Sequence, residues 1–286
     1  MRVLIVGCGD VGQRVAARLP AGVRVLALTS SAGRVAALRA QGLVPLRGDL
    51  DRPASLRRLA GIADRVLHLA PPPTEGARDP RTRALGQVLL RRTPPQVLVY
   101  GSTSGVYGDC AGDWVAETRR PTPRTERARR RLDAEAAVRF LGRAGGVRAS
   151  LLRIPGIYAP DRAGGTPRER LAKGTPVLRP EDDVYTNHIH ANDLARACVA
   201  ALWRGRAQRV LNVNDDTVLK MGDYFDLAAD LYGMPRPPRV AADAAQGQLS
   251  LQVLSFMSES RRLINARMRR ELRLVLQHPT VETGLR

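Results

Sequence analysis

Cysteine is scarce. Cys8, Cys110 and Cys198 lie far apart and are odd in number. Three scattered cysteines, odd in number, fit neither a disulfide framework nor a zinc site, and a reducing cytoplasm is the expected setting. No apolar run approaches the roughly 20 residues that span a bilayer. The opening run Val3–Val6 is also too short for a signal peptide, so no membrane partner is expected. Aromatic residues make up only 4% of the chain, and no aromatic RNA-binding motif is present. Lysine is nearly absent, with Lys173 and Lys220 alone, so the formal charge of +19 is carried by arginine. Two readings of that charge stand: a nucleic-acid surface, or arginines spread over solvated helix faces. The arginines run along the whole chain, with one dense run at Arg127-Ala128-Arg129-Arg130-Arg131. No helix-turn-helix or zinc finger accompanies them. The second reading is favoured, with general attraction for phosphorylated ligands, and a nucleic-acid partner is not expected.

The chain begins with a strand-length apolar run, Val3–Val6, followed by Gly7, Gly9 and Gly12 in the spacing G-x-G-x-x-G. Val11, Val15, Ala16 and Leu19 then recur at helical spacing. In such a strand-turn-helix, Gly7 permits the tight turn, Gly9 lets a pyrophosphate approach, and Gly12 lets helix and sheet pack closely. The helix N-terminus, with Asp10 and Val11, presents unpaired N–H groups to phosphates. Cys8 reads as a small filler in this turn.

Val23–Leu28 reads as a second strand. An acid at its end would bind an adenosine ribose, whereas an arginine would accommodate a 2′-phosphate. The chain has Thr29, Ser30, Ser31 and then Arg34, which favours NADP over NAD. Ser30 or Ser31 alternatively caps the helix that follows. Asp49, after the strand Leu43–Leu46, either meets an adenine amino group or caps a helix over Ala54–Leu59; Leu50 is its neighbour. Arg65–Ala70 is a fourth strand, and Ala70 leads into Pro71-Pro72-Pro73, a stiff loop where ligands gather in open α/β sheets. Further strands fall at Gln96–Tyr100, Arg148–Arg153 and Val210–Val213. Helices fall at 78–92, 124–141, Asn192–Trp203, Met221–Tyr232 and Arg261–Leu272, and 235–248 reads as a loop. This alternation gives an α/β fold, a doubly wound parallel sheet covered on both faces. Residues 1–153 form the Rossmann-type dinucleotide-binding domain. Residues 154–286 form a smaller C-terminal substrate lobe, with segments around 184–213 returning to the sheet.

Together with Gly101-Ser102-Thr103-Ser104-Gly105-Val106-Tyr107-Gly108, Leu152–Pro160 and His188-Ile189-His190-Ala191-Asn192-Asp193-Leu194-Ala195, these motifs resemble an extended short-chain dehydrogenase/reductase of the NAD-dependent epimerase/dehydratase family. The resemblance covers nearly the whole chain. It implies a seven-stranded sheet, a small-molecule substrate such as a sugar or nucleotide-sugar, and hydride transfer with a tyrosine moving the proton. It places Thr103, or Ser104 beside it, at the carbonyl-polarising position. It places Arg131 at the position of the family lysine and Arg127 at that of the tyrosine. Guanidinium is not deprotonated in proteins, so Arg127 cannot replace the tyrosine. Tyr107 is the first substitute donor on this reading, with packing under its loop as the alternative. Two functions from different classes follow: an NAD(P)-dependent oxidoreductase or epimerase/dehydratase-like enzyme, or a catalytically silent NADP(H)-binding sensor or interaction module. The oligomeric state is left open.

Overall fold

A computed structural model describes residues 1–245, 247, 254 and 257–286. Its main sheet is built from β1 (Arg2–Val6), β2 (Arg24–Thr29), β3 (Val44–Arg47), β4 (Arg65–His68), β5 (Val97–Thr103), β6 (Arg148–Ile154) and β7 (Arg209–Asn212). The seven strands lie in the order β7-β6-β5-β4-β1-β2-β3, and every neighbouring pair is parallel. The expected Rossmann-type sheet is therefore present. Strand order reverses between β1 and β4, and such a switch point opens a crevice beyond the carboxyl ends of the strands.

Strand pleating explains the two layers of core. Successive side chains point to opposite faces. Val3 and Ile5 thus join one apolar cluster, with Leu67, Val99, Leu194 and Met268, while Leu4 and Val6 join the other, with Val66, Leu98, Val138 and Leu151. On the first face α1 (Asp10–Ala16) packs against α5 (Ala191–Arg204), and α5 against α7 (Ala266–Leu272). On the second face α3 (Pro80–Leu89) packs against α4 (Glu126–Ala144). The helix α2 (Arg34–Ala40) packs against β3.

Past β6 a separate apolar cluster gathers Tyr158, Val177, Phe225, Ala228 and Val281 around α6 (Met221–Tyr232). That helix stops at Gly233, which is left-handed at φ 61°, followed by Pro235 as its sequence signal requires. Within 184–213, only Arg209–Asn212 joins the main sheet; His188–His190 pairs instead with Gly156–Tyr158.

Several local expectations are corrected. The segment around Ala54–Leu59 is a 3₁₀ turn over Pro53–Leu59 with Arg52 at its N-cap. Asp49 does not cap it, because its carboxylate accepts the Asp51 amide at 3.0 Å. Neither Ser30 nor Ser31 caps α2, whose N-cap is Gly33. Arg262-Leu263 is a short strand paired with Trp114-Val115, so the last long helix begins only at Ala266. The 235–248 loop contains a strand at Arg239-Val240 and a helical turn at Ala242–Ala245; residues 246 and 248 lie outside the described residues.

Three histidines are sealed inside: His68, His188 and His190. Burial is the leading cause that pushes them down, to about 3, about 4 and about 4. Burial pushes the Asp215 carboxyl the other way, up to about 7. Between pH 6.5 and about 4 the unfolded chain binds protons that the folded histidines refuse, so this contribution to stability falls as pH falls. Asp215 opposes it, since its folded form holds a proton through the same window. Three histidines outweigh one carboxyl, and each net proton is worth about 1.4 kcal/mol per pH unit. The urea midpoint is expected to drop between pH 7 and pH 5, and His188→Phe should flatten that drop. A midpoint independent of pH in both proteins would refute the linkage.

Candidate functional site

The site is organised by the turn after β1. Gly7 adopts φ 89°, and a Cβ there would lie 2.3 Å from the Ala70 backbone nitrogen. The Leu69 and Ala70 amides both donate to the Val6 carbonyl, at 2.7 and 3.0 Å. The end of β1 and the segment after β4 are thus in backbone contact, and no side chain fits between them. Gly12 is also confined, since its Cβ would lie 3.0 Å from the Gly7 carbonyl oxygen. Gly9 differs: it is exposed, and nothing lies within 4 Å of an added Cβ. Packing does not require glycine at that position, but an approaching phosphate does. No side chain caps α1, whose first helical bond runs from the Gln13 amide to the Gly9 carbonyl. Helix geometry leaves the preceding amides without intrahelical carbonyls.

A cleft of about 320 Å³ opens here. Gly7, Gly9, Asp10, Val11 and Gly12 form one wall, and Gly101, Ser102, Thr103 and Arg131 form another. Leu69, Ile154, Pro155, Ile157, Arg162 and Leu194 close it. An acid at a phosphate-facing turn would repel its ligand, but Asp10 is held by two arginines. Arg14 Nε lies 2.9 Å from one oxygen and Arg162 Nε 3.1 Å from the other. Arg14 also reaches Asp161 at 2.8 Å, which ties the loop after Tyr158 to the glycine helix.

On the opposite wall Arg131 Nη1 donates to the Gly101 carbonyl at 2.8 Å and to the Tyr100 hydroxyl at 3.1 Å. Its charge is thereby fixed at the end of β5. Thr103 Oγ1 accepts the Gly105 amide at 3.2 Å. The hydroxyl proton is left to donate elsewhere. Behind Thr103 lies a buried polar network. Ser102 Oγ donates to Glu135 at 2.6 Å, and Arg153 binds both oxygens of the same carboxylate, at 3.1 and 2.8 Å.

The cleft thus brings together Gly7, Gly9, Asp10, Val11, Gly12, Thr103 and Arg131. Other candidates surround it. Ala70 backs Gly7. Pro71 is exposed, and its carbonyl accepts Arg81 Nη1 at 3.2 Å. Arg34 Nη2 donates to the Cys8 carbonyl at 2.6 Å, holding its guanidinium at the glycine turn near the end of β2. Thr29 is buried and bonds to Ser31, Ser30 is exposed, and Asp49 and Leu50 are half-buried. Ser104 is buried under the strand end. Tyr107 does not line the cleft; it is fully buried, with its hydroxyl donated to Asn212 at 2.7 Å. Cys8 is buried, and that burial pushes its thiol up, away from nucleophilic use. Arg162, which the sequence offers as a group for an anionic substrate or as a surface arginine, lines the cleft, and Glu135 and Arg153, which motif reading assigned no role, support its wall. The turn Tyr158-Ala159-Pro160 before Arg162 is the one local signal for that residue.

Fold and cleft together define an α/β protein of the Rossmann type. The chain belongs to the NAD dependent epimerase/dehydratase family, whose model matches residues 3–214. Among solved structures it is similar to a functionally unknown conserved protein from Silicibacter pomeroyi DSS. That protein is 31% identical with a TM-score of 0.84, over 99% of this chain and 96% of the other. It shares its fold with UDP-glucose 4-epimerase from Thermotoga maritima, at 18% identity and TM-score 0.81, over 100% and 96% of the two chains. The same holds for UDP-glucuronic acid 4-epimerase from Bacillus cereus in complex with NAD, at 18% identity and TM-score 0.78, with coverage of 100% and 96%. No curated protein matches the sequence. Among the described residues no helix is long and apolar enough to cross a membrane, and no group of His, Cys, Asp or Glu could hold a metal ion.

The residues present fit a dinucleotide: an open Gly9, amides at the start of α1, and a neutralised Asp10. Gly9→Ala is expected to leave the unfolding midpoint unchanged while weakening dinucleotide binding about tenfold or more, because a methyl group then occupies the phosphate approach. Gly7→Ala should instead lower stability, read by the same urea titration. Equal dinucleotide affinity in Gly9→Ala and wild type would rule out this placement.

Proposed function

We propose that the protein binds NADP(H) in this cleft and acts as an oxidoreductase or epimerase/dehydratase-type enzyme on a small hydroxyl- or carbonyl-bearing substrate, such as a sugar or nucleotide-sugar. The observation that supports this best is the convergence of the glycine turn with Thr103 and Arg131 on one cleft. Thr29-Ser30-Ser31 offers no acid at the end of β2, and Arg34 sits at the glycine turn, which supports NADP over NAD.

Bound NADP(H) supplies the hydride donor or acceptor. Thr103 donates its hydroxyl proton in a hydrogen bond to the substrate oxygen. Arg131 would hold a fixed positive charge on the same wall as Thr103, which favours negative charge as it develops on the substrate oxygen. Tyr107 serves as packing: its hydroxyl is occupied by Asn212, and burial raises its pKa. Among the described residues, those lining the cleft include no tyrosine, histidine, lysine or cysteine. The same observation favours a second reading, a catalytically silent NADP(H)-binding module.

NADPH is expected to bind more tightly than NADH, and Arg34→Ala should abolish the preference. Against a carbonyl panel, Thr103→Ala should lower turnover about 10²-fold. Tyr107→Phe should leave turnover unchanged and cost roughly 1 kcal/mol of stability. Tighter NADH binding would overturn the cofactor assignment. Tight NADPH binding without turnover of any carbonyl would establish the silent module.

A further inference from the structure

Most strands of the main sheet begin with arginine: Arg2, Arg24, Arg65, Arg148 and Arg209 open β1, β2, β4, β6 and β7. In a parallel sheet these residues share one end, opposite the cleft. Strand register brings them level. Arg2 pairs with Arg24, and Arg65 and Arg148 lie on either side of Val97, the first residue of β5. The chain enters β5 through Arg91 and Arg92, which follow α3 and are exposed. The consecutive strands β6-β5-β4-β1-β2 thus each bring arginine to this end. From β6 to β2 the band spans about 19 Å at the usual spacing of paired strands. Arg209 is not part of it: its register partner is Ser150, further into the sheet, and Glu271 holds it at 2.9 Å.

The charge of the band is not cancelled. The segments that enter these strands are 1–2, 17–24, 60–65, 90–97 and 145–148, and Asp64 is the one acid in them. Its carboxylate accepts the Arg2 backbone amide at 2.7 Å. Arg65 Nη1 donates to the Leu202 carbonyl at the end of α5, and its guanidinium lies 5.0 Å from the Trp203 ring centroid. Both contacts orient Arg65 and leave its charge. Among the described residues, Arg2, Arg24, Arg91, Arg92 and Arg148 pair with no carboxylate. Helix C-termini favour cations, which accounts for Arg91 and Arg92 after α3. It does not account for Arg24, well past the end of α1 at Ala16.

We propose that this arginine band binds the phosphodiester backbone of a nucleic acid. The guanidinium fork matches phosphate oxygens, and phosphates repeat along a strand as the arginines repeat across the sheet. Other polyanionic partners fit less well. Protein interfaces close on an apolar core, and membrane surfaces hold a protein through inserted apolar groups. Of the exposed large apolar side chains among the described residues, Met1 alone belongs to these segments. Nucleic-acid interfaces are the more polar and the more positive kind. Read along the chain, arginine is everywhere and no nucleic-acid motif accompanies it. Strand pairing is what gathers these residues, so no local spacing announces the band.

The test uses the full chain and the fluorescence anisotropy of end-labelled oligonucleotides. A single strand of about 20 nucleotides and its duplex are titrated between about 50 and about 200 mM NaCl. Arg24→Gln/Arg91→Gln is expected to weaken binding about tenfold or more at low salt, and to lower the salt slope by about 0.7 to 0.9 for each arginine removed. Arg236→Gln/Arg286→Gln removes exposed arginines of the second lobe, controls for net charge, and should bind as wild type. Saturating NADP⁺ should leave the affinity unchanged, because the cleft lies at the other end of the strands. Tighter duplex or tighter single strand assigns the form of nucleic acid, and either supports the band. No saturable binding at low salt, equal losses in band and control variants, or release by NADP⁺ would overturn the proposal. So would polyglutamate bound as tightly as the oligonucleotides, which would mark an acidic protein as the partner.

Discussion

The backbone contact between Gly7 and Ala70 is the constraint on which the rest of the site depends. Two neighbouring parallel strands end together, and the double donation to the Val6 carbonyl locks their ends. Everything at the cleft is measured from that point. The helix after the turn is held down by Gly12, so its free amides open at a set height above the sheet. Once that height is set, the end of β5 can face it with Thr103 and Arg131.

The far wall is supported from behind by a buried charged group as well as by the apolar packing of α4. Glu135 on α4, Ser102 on β5 and Arg153 on β6 form one sealed group, and the Arg153 guanidinium also lies 4.6 Å from the Tyr107 ring centroid. Tyr107 passes the connection to Asn212 at the end of β7, whose side-chain amide donates to the Val115 and Ile264 carbonyls. Removing one partner from such a group leaves a buried charge alone, which costs more than the pair contributes when intact. The network joins three adjacent strand ends to the helix that carries Arg131, and this keeps the wall rigid. Arg131 and Glu135 lie four residues apart, so one turn of helix carries both the group in the cleft and the group that anchors it.

Much of this was legible in the residues themselves. The alternation of Val3, Leu4, Ile5 and Val6 between faces is a local property, and so is the spacing of the glycines. Strand–helix alternation gives a parallel sheet and the glycine spacing gives the turn after β1, while the seven-stranded sheet was what the family resemblance implied. What was not legible depends on residues distant in sequence. Asp10 and Arg162 are 152 positions apart, and nothing near either one announces the pair. The fate of Tyr107 depends on Asn212, 105 positions away. Asp49 and the serines after Thr29 look like helix caps because such residues often are; here the Asp49 carboxylate turns onto the Asp51 amide, the Thr29 hydroxyl accepts the Ser31 amide, and Gly33 stands at the N-cap of α2. The region after Glu259 was misread because apolar residues at mixed spacing suit either a helix or a short strand followed by one.

The placement of β7 has a consequence for how the chain comes to be folded on the ribosome. The sheet's outermost strand is drawn from residues 209–212, after the chain has left the sheet at β6 and begun a second cluster of its own. Until about residue 212 has emerged from the exit tunnel, β6 is an unpaired hydrophobic edge, rich in leucine and open to other nascent chains. The second cluster also draws on Val281, far along the chain from β6. Both apolar clusters therefore close only on segments far along the chain from the strands and helices they cover. A strand edge left open over that interval offers its unpaired N–H and C=O groups to any other extended segment nearby.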